Sequence, residues 1–303
     1  MEKKTVLNVS NLSVTFRMYS KGMRKGGLKV ISNLSASVRE GEILAVAGSS
    51  GSGKSLLAHA VLGILPRNAI VTGEIEYMGE ALTSARLTKL RGREIALVPQ
   101  SVEYLDPLMK VGKQVSDDKY AVKRAFERYK LDESVMKLFP FQLSGGMMRR
   151  VLCATAVVTG AKLIIADEPT PGMSEELAAR AMKHFRDLAD AGAAVMLITH
   201  DIDLALRYCD RVAVFYAGTT VETALASDFG NIDNLRHPYT KALWRAMPQN
   251  DFAPTPGTQP YAGNLPDGCL FAPRCDRVTE ECTRAAPESR TLRNGEVSCI
   301  YAD

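Results

Sequence analysis

Apolar and polar positions alternate with a period of two through most of the first forty residues. Val6 to Val9, Leu12 to Phe16 and Val30 to Val38 follow this pattern and are predicted as strands with one buried face. Between them, Arg17 to Lys29 is rich in glycine and cations (Arg17, Lys21, Arg24, Lys25, Lys29) and reads as a solvated hairpin loop. The texture then changes to short runs that are apolar throughout: Ile43 to Ala47, Leu163 to Ala166, Ala194 to Ile198, with a further strand at Arg211 to Tyr216. Such runs are the mark of strands covered on both faces. Helical stretches separate them, from Lys54 to about Leu65 and from Ser174 to Ala191, and residues 101 to about 160 are mostly helical and charged. Strands alternating with helices predict an α/β fold with a mainly parallel sheet. From about Asn231 onward prolines recur (238, 248, 254, 256, 260, 266, 273, 287) and the periodicity weakens. The expected division is residues 1–230, with a helical subdomain at about 101–160, and a small loop-rich unit at 231–303.

The most informative interruption is Gly48-Ser49-Ser50-Gly51-Ser52-Gly53-Lys54-Ser55, a G-x-x-x-x-G-K-[ST] loop between a strand and a helix. Its glycines (Gly48, Gly51, Gly53) let the backbone N–H groups, with Ser49 and Ser52 among them, wrap phosphates. The following helix start, Lys54-Ser55-Leu56, adds its dipole. Lys54 is expected on the β- and γ-phosphates and Ser55 on Mg²⁺. Leu163 to Ala166 ends in Asp167-Glu168. Asp167 is expected in the Mg²⁺ shell and Glu168 as the group that polarises water, which favours hydrolysis over transfer to an organic acceptor. Leu143-Ser144-Gly145-Gly146-Met147 forms a second small-residue entry to a helix, one more than a single nucleotide needs.

Together these motifs resemble the ATP-binding cassette (ABC) family, whose signature is L-S-G-G. The resemblance implies a P-loop NTPase fold with a RecA-like core and a helical subdomain. It also implies ATP sandwiched between two subunits, with Ser144, Gly145 and Gly146 serving the partner's nucleotide. Gln100, after Ile95 to Pro99, matches the Q-loop glutamine that senses Mg²⁺, and His200 matches the switch histidine at the γ-phosphate. Phe16 is assigned to stack on adenine, with Tyr19 next in line. One landmark departs from the family pattern: Ser174 stands where the segment Pro171-Gly172-Met173 is expected to end in Asp. That loss predicts an asymmetric pair with a different ATPase subunit.

Composition adds exclusions. The chain has 303 residues with a formal charge of +4, giving no reason to expect a polyanion partner, and its 7% aromatics make an aromatic nucleic-acid platform unlikely to be built. No apolar stretch reaches the roughly 18 residues of a membrane span, since Val151 to Ala166 is broken by Gly160 and Lys162. The start, Met1-Glu2-Lys3-Lys4, leads into an alternating strand rather than an apolar signal core, so the expectation is a soluble intracellular protein.

The cysteines narrow the resemblance. Cys153 and Cys209 lie in apolar patterns and are expected in the core, but Cys269, Cys275, Cys282 and Cys299 crowd the end of the chain. That tail, with His237-Pro238-Tyr239-Thr240-Lys241-Ala242-Leu243, is similar to the oligopeptide, dipeptide and nickel importer ATPases. A reducing compartment argues against disulfides, and the spacing is unlike paired zinc motifs. The resemblance implies a [4Fe–4S] cluster; zinc or no metal stays open. It further implies two permease subunits, an extracytoplasmic binding protein acting indirectly, and a peripheral place on the cytoplasmic face of the membrane. Peptide and nickel or a metal chelate are both expected cargoes, the latter because Gly53 to Leu56 and Leu62 to Pro66 look similar to nickel-type members. The rival readings are a soluble ABC ATPase of DNA repair or translation and a non-hydrolysing regulatory cassette.

Overall fold

The computed structural model describes residues 3–20 and 24–303. The chain opens with the hairpin β1 (Thr5–Ser20) and β2 (Arg24–Arg39), then β3 (Ile43–Gly48), α1 (Lys54–Leu62), β4 (Ala69–Tyr77), β5 (Glu80–Ala81), α2 (Ser84–Leu90) and β6 (Ile95–Val98). The helical stretch follows as α3 (Val111–Val115), α4 (Lys119–Arg128) and α5 (Gly145–Val158), linked by short 3₁₀ turns. The core resumes with β7 (Leu163–Asp167), α6 (Glu175–Asp190), β8 (Ala194–Ile198), α7 (Ile202–Leu206), β9 (Arg211–Tyr216) and β10 (Thr219–Leu225). The last elements are α8 (Pro238–Arg245), α9 (Glu280–Arg284), β11 (Arg290–Leu292) and β12 (Gly295–Val297).

Two sheets result. β2, β1, β4 and β5 form an antiparallel sheet, and the larger sheet runs β11-β12-β10-β9-β3-β8-β7-β6. Its strands from β9 to β6 are parallel. The period-two alternation of side chains divides them between two apolar clusters. Ile43, Ala45, Ile164, Ala166, Val195 and Leu197 face one; Leu44, Val46, Leu163, Ile165, Met196 and Ile198 face the other. Double-sided burial is why these runs read as apolar throughout. Cys153 is fully buried and Cys209 packs against the first cluster, as their apolar surroundings predict.

The hairpin departs from expectation. The basic, glycine-rich stretch after Arg17 is strand as far as Ser20 and again from Arg24, with Arg17 opposite Gly27 and Ser20 opposite Arg24. Pairing of β1 with β4 on its other side ends at Phe16 opposite Ala69, so beyond it β1 is held by β2 and by the Arg17 N–H, which donates to the Asn68 carbonyl at 2.9 Å. Glycine weakens a strand but does not forbid one at a sheet edge.

The tail is built onto the large sheet. β12 pairs with β10 through Glu222 opposite Val297, and β11 pairs with β12. A buried guanidinium joins the two parts. Arg236, 1% exposed, donates from Nη1 to Glu222 at 3.1 Å and Asp228 at 3.0 Å, and from Nε to the Leu292 carbonyl at 2.7 Å. Gly295 makes room for it, since a Cβ there would lie 2.7 Å from the guanidinium carbon. Removing one partner of such a group strands the other charges in low dielectric. Arg236→Met is expected to destabilise the chain by about 3–5 kcal/mol, read as a fall in thermal midpoint against wild type.

Helix α6 carries a second polar residue into the core, His184, which meets α4. Arg128 Nη1 lies 3.3 Å from its Nδ1 and 3.2 Å from its Nε2, and Tyr129 meets the ring edge-on. Burial first, and then the Arg128 charge, push the His184 pKa down from 6.5 to about 4, against a smaller pull upward from Asp187. The native state therefore holds His184 neutral. Its contribution to stability is complete above pH 6.5 and is lost as pH falls towards 4. Replacing it by Gln is expected to flatten the acid-side decline of the thermal midpoint in that window.

Candidate nucleotide-binding site

β3 ends at Gly48, whose φ of 152° carries the chain away from the sheet; a Cβ there would lie 2.2 Å from the Phe215 carbonyl oxygen of β9. The loop then curls back, and α1 starts behind Gly53, with no side chain capping its first N–H groups. An uncapped helix start of this kind is a ready anion site. Lys54 is 7% exposed and donates to the carbonyls of Gly48 at 2.8 Å and Ser49 at 3.0 Å, folding its ammonium into the loop. Burial lowers its pKa, while the charges of Glu168 and Asp167 oppose that shift. Ser52 is fully buried with its hydroxyl unpartnered, and Leu56 packs partly against the second apolar cluster.

Strand register supplies the facing carboxylates. Asp167, the last residue of β7, sits opposite Ile198 of β8, and Val46 of β3 pairs with the same Ile198. Ser55 Oγ donates to Asp167 Oδ1 at 3.1 Å. Burial raises the Asp167 pKa; the Ser55 hydrogen bond opposes this, and Glu168 adds to it. Glu168 follows at φ 46°, a left-handed conformation uncommon outside glycine. Its N–H donates to the Ile198 carbonyl at 2.9 Å, which holds the turn. Strain of this kind concentrates at functional sites. Both carboxylate oxygens of Glu168 are engaged: Gln100 Nε2 donates to Oε2 at 3.4 Å and His200 Nδ1 lies 3.2 Å from Oε1. The residues expected to handle magnesium and water are thus brought together at the C-terminal ends of β6, β7 and β8 and the start of α1.

Sequence reasoning missed Arg149. It lies one turn into α5, and its Nη1 donates to the backbone carbonyls of both Gln100 and Glu168, at 3.0 Å for the latter. The signal available was a cation on the helix that follows Leu143 to Met147, five residues past the cap. With two acceptors on separate loops, Arg149 sets the distance between them.

Ser144 caps α5, its hydroxyl accepting from the Met147 N–H at 3.3 Å. Gly145 meets nothing nearby, and Gly146 lies beside the Gly172 carbonyl. Among the described residues, no side-chain hydrogen bond links Ser144 to the loop at 48–55. Phe16 is half-buried on β1 against the second cluster, and the side chain of Tyr19 lies outside the described residues. Ser174 precedes α6 and is exposed, with no side-chain capping bond.

The four late cysteines line one small cavity of about 20 Å³ with His237 and Phe271. None is in a disulfide. Burial pushes the thiols of Cys269, Cys275 and Cys299 up, and neighbouring cysteines add to the shift. As the side chains stand, no group of three or more His, Cys, Asp or Glu among the described residues is placed to hold a metal.

Comparison with known proteins shows the family. Residues 31–171 match the family model described as ABC transporter, and residues 221–282 match the oligopeptide/dipeptide transporter C-terminal region. The chain is 34% identical to the oligopeptide transport ATP-binding protein OppD of Escherichia coli (strain K12), covering 93% of this chain and 89% of that one. It is 33% identical to OppD of Haemophilus influenzae, covering 96% and 95%. Among solved structures, a dimeric bacterial ABC transporter cassette aligns with a TM-score of 0.63 at 27% identity, over 73% of this chain and 98% of the cassette. A dimeric cassette in a post-hydrolysis state bound to ADP and Pi aligns with a TM-score of 0.65 at 25% identity, over 73% and 98%.

Arg149→Ala is expected to slow ATP turnover by about 10- to 100-fold by letting the Gln100 and Glu168 loops drift apart. Nucleotide affinity should change little, which equilibrium binding beside steady-state turnover would resolve.

Proposed function

The chain belongs to the ATP-binding subunits of ABC transporters with the oligopeptide/dipeptide C-terminal region, and from that membership we propose that it hydrolyses ATP to drive peptide import through a membrane permease. The observation that carries the reading is Glu168, whose two carboxylate oxygens are held between Gln100 and His200 beside the Ser55–Asp167 pair. Lys54 offers its charge to the β- and γ-phosphates, and the loop N–H groups from Gly48 to Ser55 wrap them. Ser55 and Asp167, two hard oxygen donors already 3.1 Å apart, fit Mg²⁺ and would hold it with Gln100 as the third ligand. That ion, when bound, neutralises charge on the phosphate oxygens. Glu168 orients a water and takes its proton, and His200 faces the γ-phosphate. Phe16 stacks on the adenine.

The chain carries half of each of two sites. Ser144, Gly145 and Gly146 are assigned to a nucleotide on a second ATPase subunit. The absence of a carboxylate at Ser174 favours an unlike partner, hence a heterodimer with two unequal sites. Permease contact is assigned to Tyr104 to Met109, where Leu108 is 88% exposed and Tyr104 54%. No helix among the described residues is long and apolar enough to cross a membrane. A peripheral place on the cytoplasmic face, with the binding protein engaged only through the permeases and no nucleic-acid partner, follows from that role.

Peptide is the preferred cargo because the relatives carry peptide or oligopeptide in their names; nickel or a metal chelate rests only on the short likeness at Gly53 to Leu56 and Leu62 to Pro66. Nothing in the site favours a DNA-repair, translation or purely regulatory cassette. The cassette is taken as 1–230, with its helical subdomain at about 101–160, and the Cys-containing C-terminal domain as 231–303. Four thiols around one cavity are the donor set of a [4Fe–4S] cluster or of tetrahedral zinc. Cys269, Cys275, Cys282 and Cys299 would hold it. The iron–sulfur assignment is checked by anaerobic purification with iron, sulfide and zinc analysis; finding no iron and sulfide would end it.

In the transporter reconstituted with its permeases and partner subunit, Glu168→Gln is expected to lower ATP turnover by about 100-fold or more while the subunits stay closed on ATP. Wild-type turnover in that variant would remove Glu168 from the mechanism.

A further inference from the structure

The tail reaches the phosphate loop. Gln259 lies in the irregular stretch between α8 and α9, far along the chain from the motifs that define the site, yet Ser49 Oγ donates to its Oε1 at 2.6 Å. The Ala217 N–H, in the turn between β9 and β10, donates to the same oxygen at 3.3 Å. Because the Ala217 N–H can only donate, the atom facing it must be the carbonyl oxygen of the amide, and the rotamer is fixed. A single acceptor therefore ties together the second residue of the phosphate loop, the β9–β10 turn and the tail.

The segment that presents Gln259 is itself held. Arg274 Nε donates to the Pro256 carbonyl at 2.8 Å, Nη2 to the Thr255 carbonyl at 3.0 Å and Nη1 to the Tyr216 hydroxyl at 3.3 Å. Its guanidinium carbon also lies 5.9 Å from the Tyr216 ring centroid and 5.8 Å from that of Phe271. Gln259 is half-buried rather than a waving surface side chain. Ser49, for its part, has a backbone carbonyl bound by Lys54 and a hydroxyl bound by Gln259. The loop is gripped from inside by the lysine and from outside by the tail.

We infer that Gln259 is a positioning residue of the nucleotide site, fixing Ser49 so that the phosphate loop stands in its phosphate-binding shape before ATP arrives. The inference deepens the ATPase reading and rests on it. Losing one neutral hydrogen bond that preorganises a binding loop weakens affinity about 2- to 10-fold. The chemical step, set by Glu168 and His200, is not touched by Gln259 in this structure.

The test is a double-mutant cycle in the assembled transporter, with KM for ATP, kcat and thermal midpoint measured for wild type, Gln259→Met, Ser49→Ala and the pair. Met keeps the length of Gln and removes the acceptor. Gln259→Met is expected to raise KM about 2- to 10-fold with kcat preserved, Ser49→Ala to raise KM at least as much, and the pair to be no worse than the poorer single. Additive effects on KM, or an unchanged KM with a lowered thermal midpoint, would reduce Gln259 to a packing residue and overturn the inference. A wild-type transporter that fails to turn over ATP would instead remove the underlying functional reading, so the two failures are told apart.

Discussion

Three adjacent parallel strands that end within two residues of one another make this site possible. β3, β7 and β8 lie side by side; β7 and β8 end together at Asp167 and Ile198, and β3 runs two residues past that level to Gly48. A strand that slipped by one residue would turn every side chain to the opposite face and bury the wrong set. The double-sided apolar packing of Ile43 to Ala47, Leu163 to Ala166 and Ala194 to Ile198 forbids that slip. Lys54, Asp167, Glu168 and His200 thus inherit their proximity from core packing rather than from their own interactions, which are few and polar. Buried charges are costly unless opposed, and here the Lys54 ammonium is opposed by the carboxylates of Glu168 and Asp167.

Much of this was legible in the residues. The apolar runs gave the core strands almost to the residue, with β7 and β8 starting at Leu163 and Ala194 as the pattern requires. The phosphate loop, the paired acids and the glutamine and histidine at strand ends were readable because each depends on a local strand–turn context. The hairpin was not, because β1 and β2 persist through a glycine- and cation-rich stretch where backbone pairing continues without apolar alternation. Arg149 escaped for a different reason: it acts on carbonyl oxygens of Gln100 and Glu168, and main-chain acceptors leave no trace in sequence. Gln259 escaped because its partners are 210 and 42 residues away and only the folded tail brings them together.

The tail also changes how the molecule divides. A texture rich in proline reads as an appendage, yet β12 and β11 extend the same sheet that carries the phosphate loop. Arg236 locks that junction from within, and Arg274 locks the tail's irregular stretch against Tyr216 at the end of β9. The thiol cavity shares His237 and Phe271 with this packed region. Cassette and tail are contiguous in their hydrogen bonding even where their compositions differ.

The Arg236 contacts also order events in time. Its side chain is buried against Glu222 and Asp228, which precede it in the chain, and against carbonyls of Leu292 and Arg293, which follow it by 56 and 57 residues. A ribosome adding about 5–20 residues per second delivers those last acceptors several seconds after the guanidinium has emerged. Until then the charge has only part of its final shell, and the edge of β10 that will receive β12 stands open. The last partners of the Arg236 guanidinium and the strand that covers β10 thus come from one and the same late segment, residues 290–297.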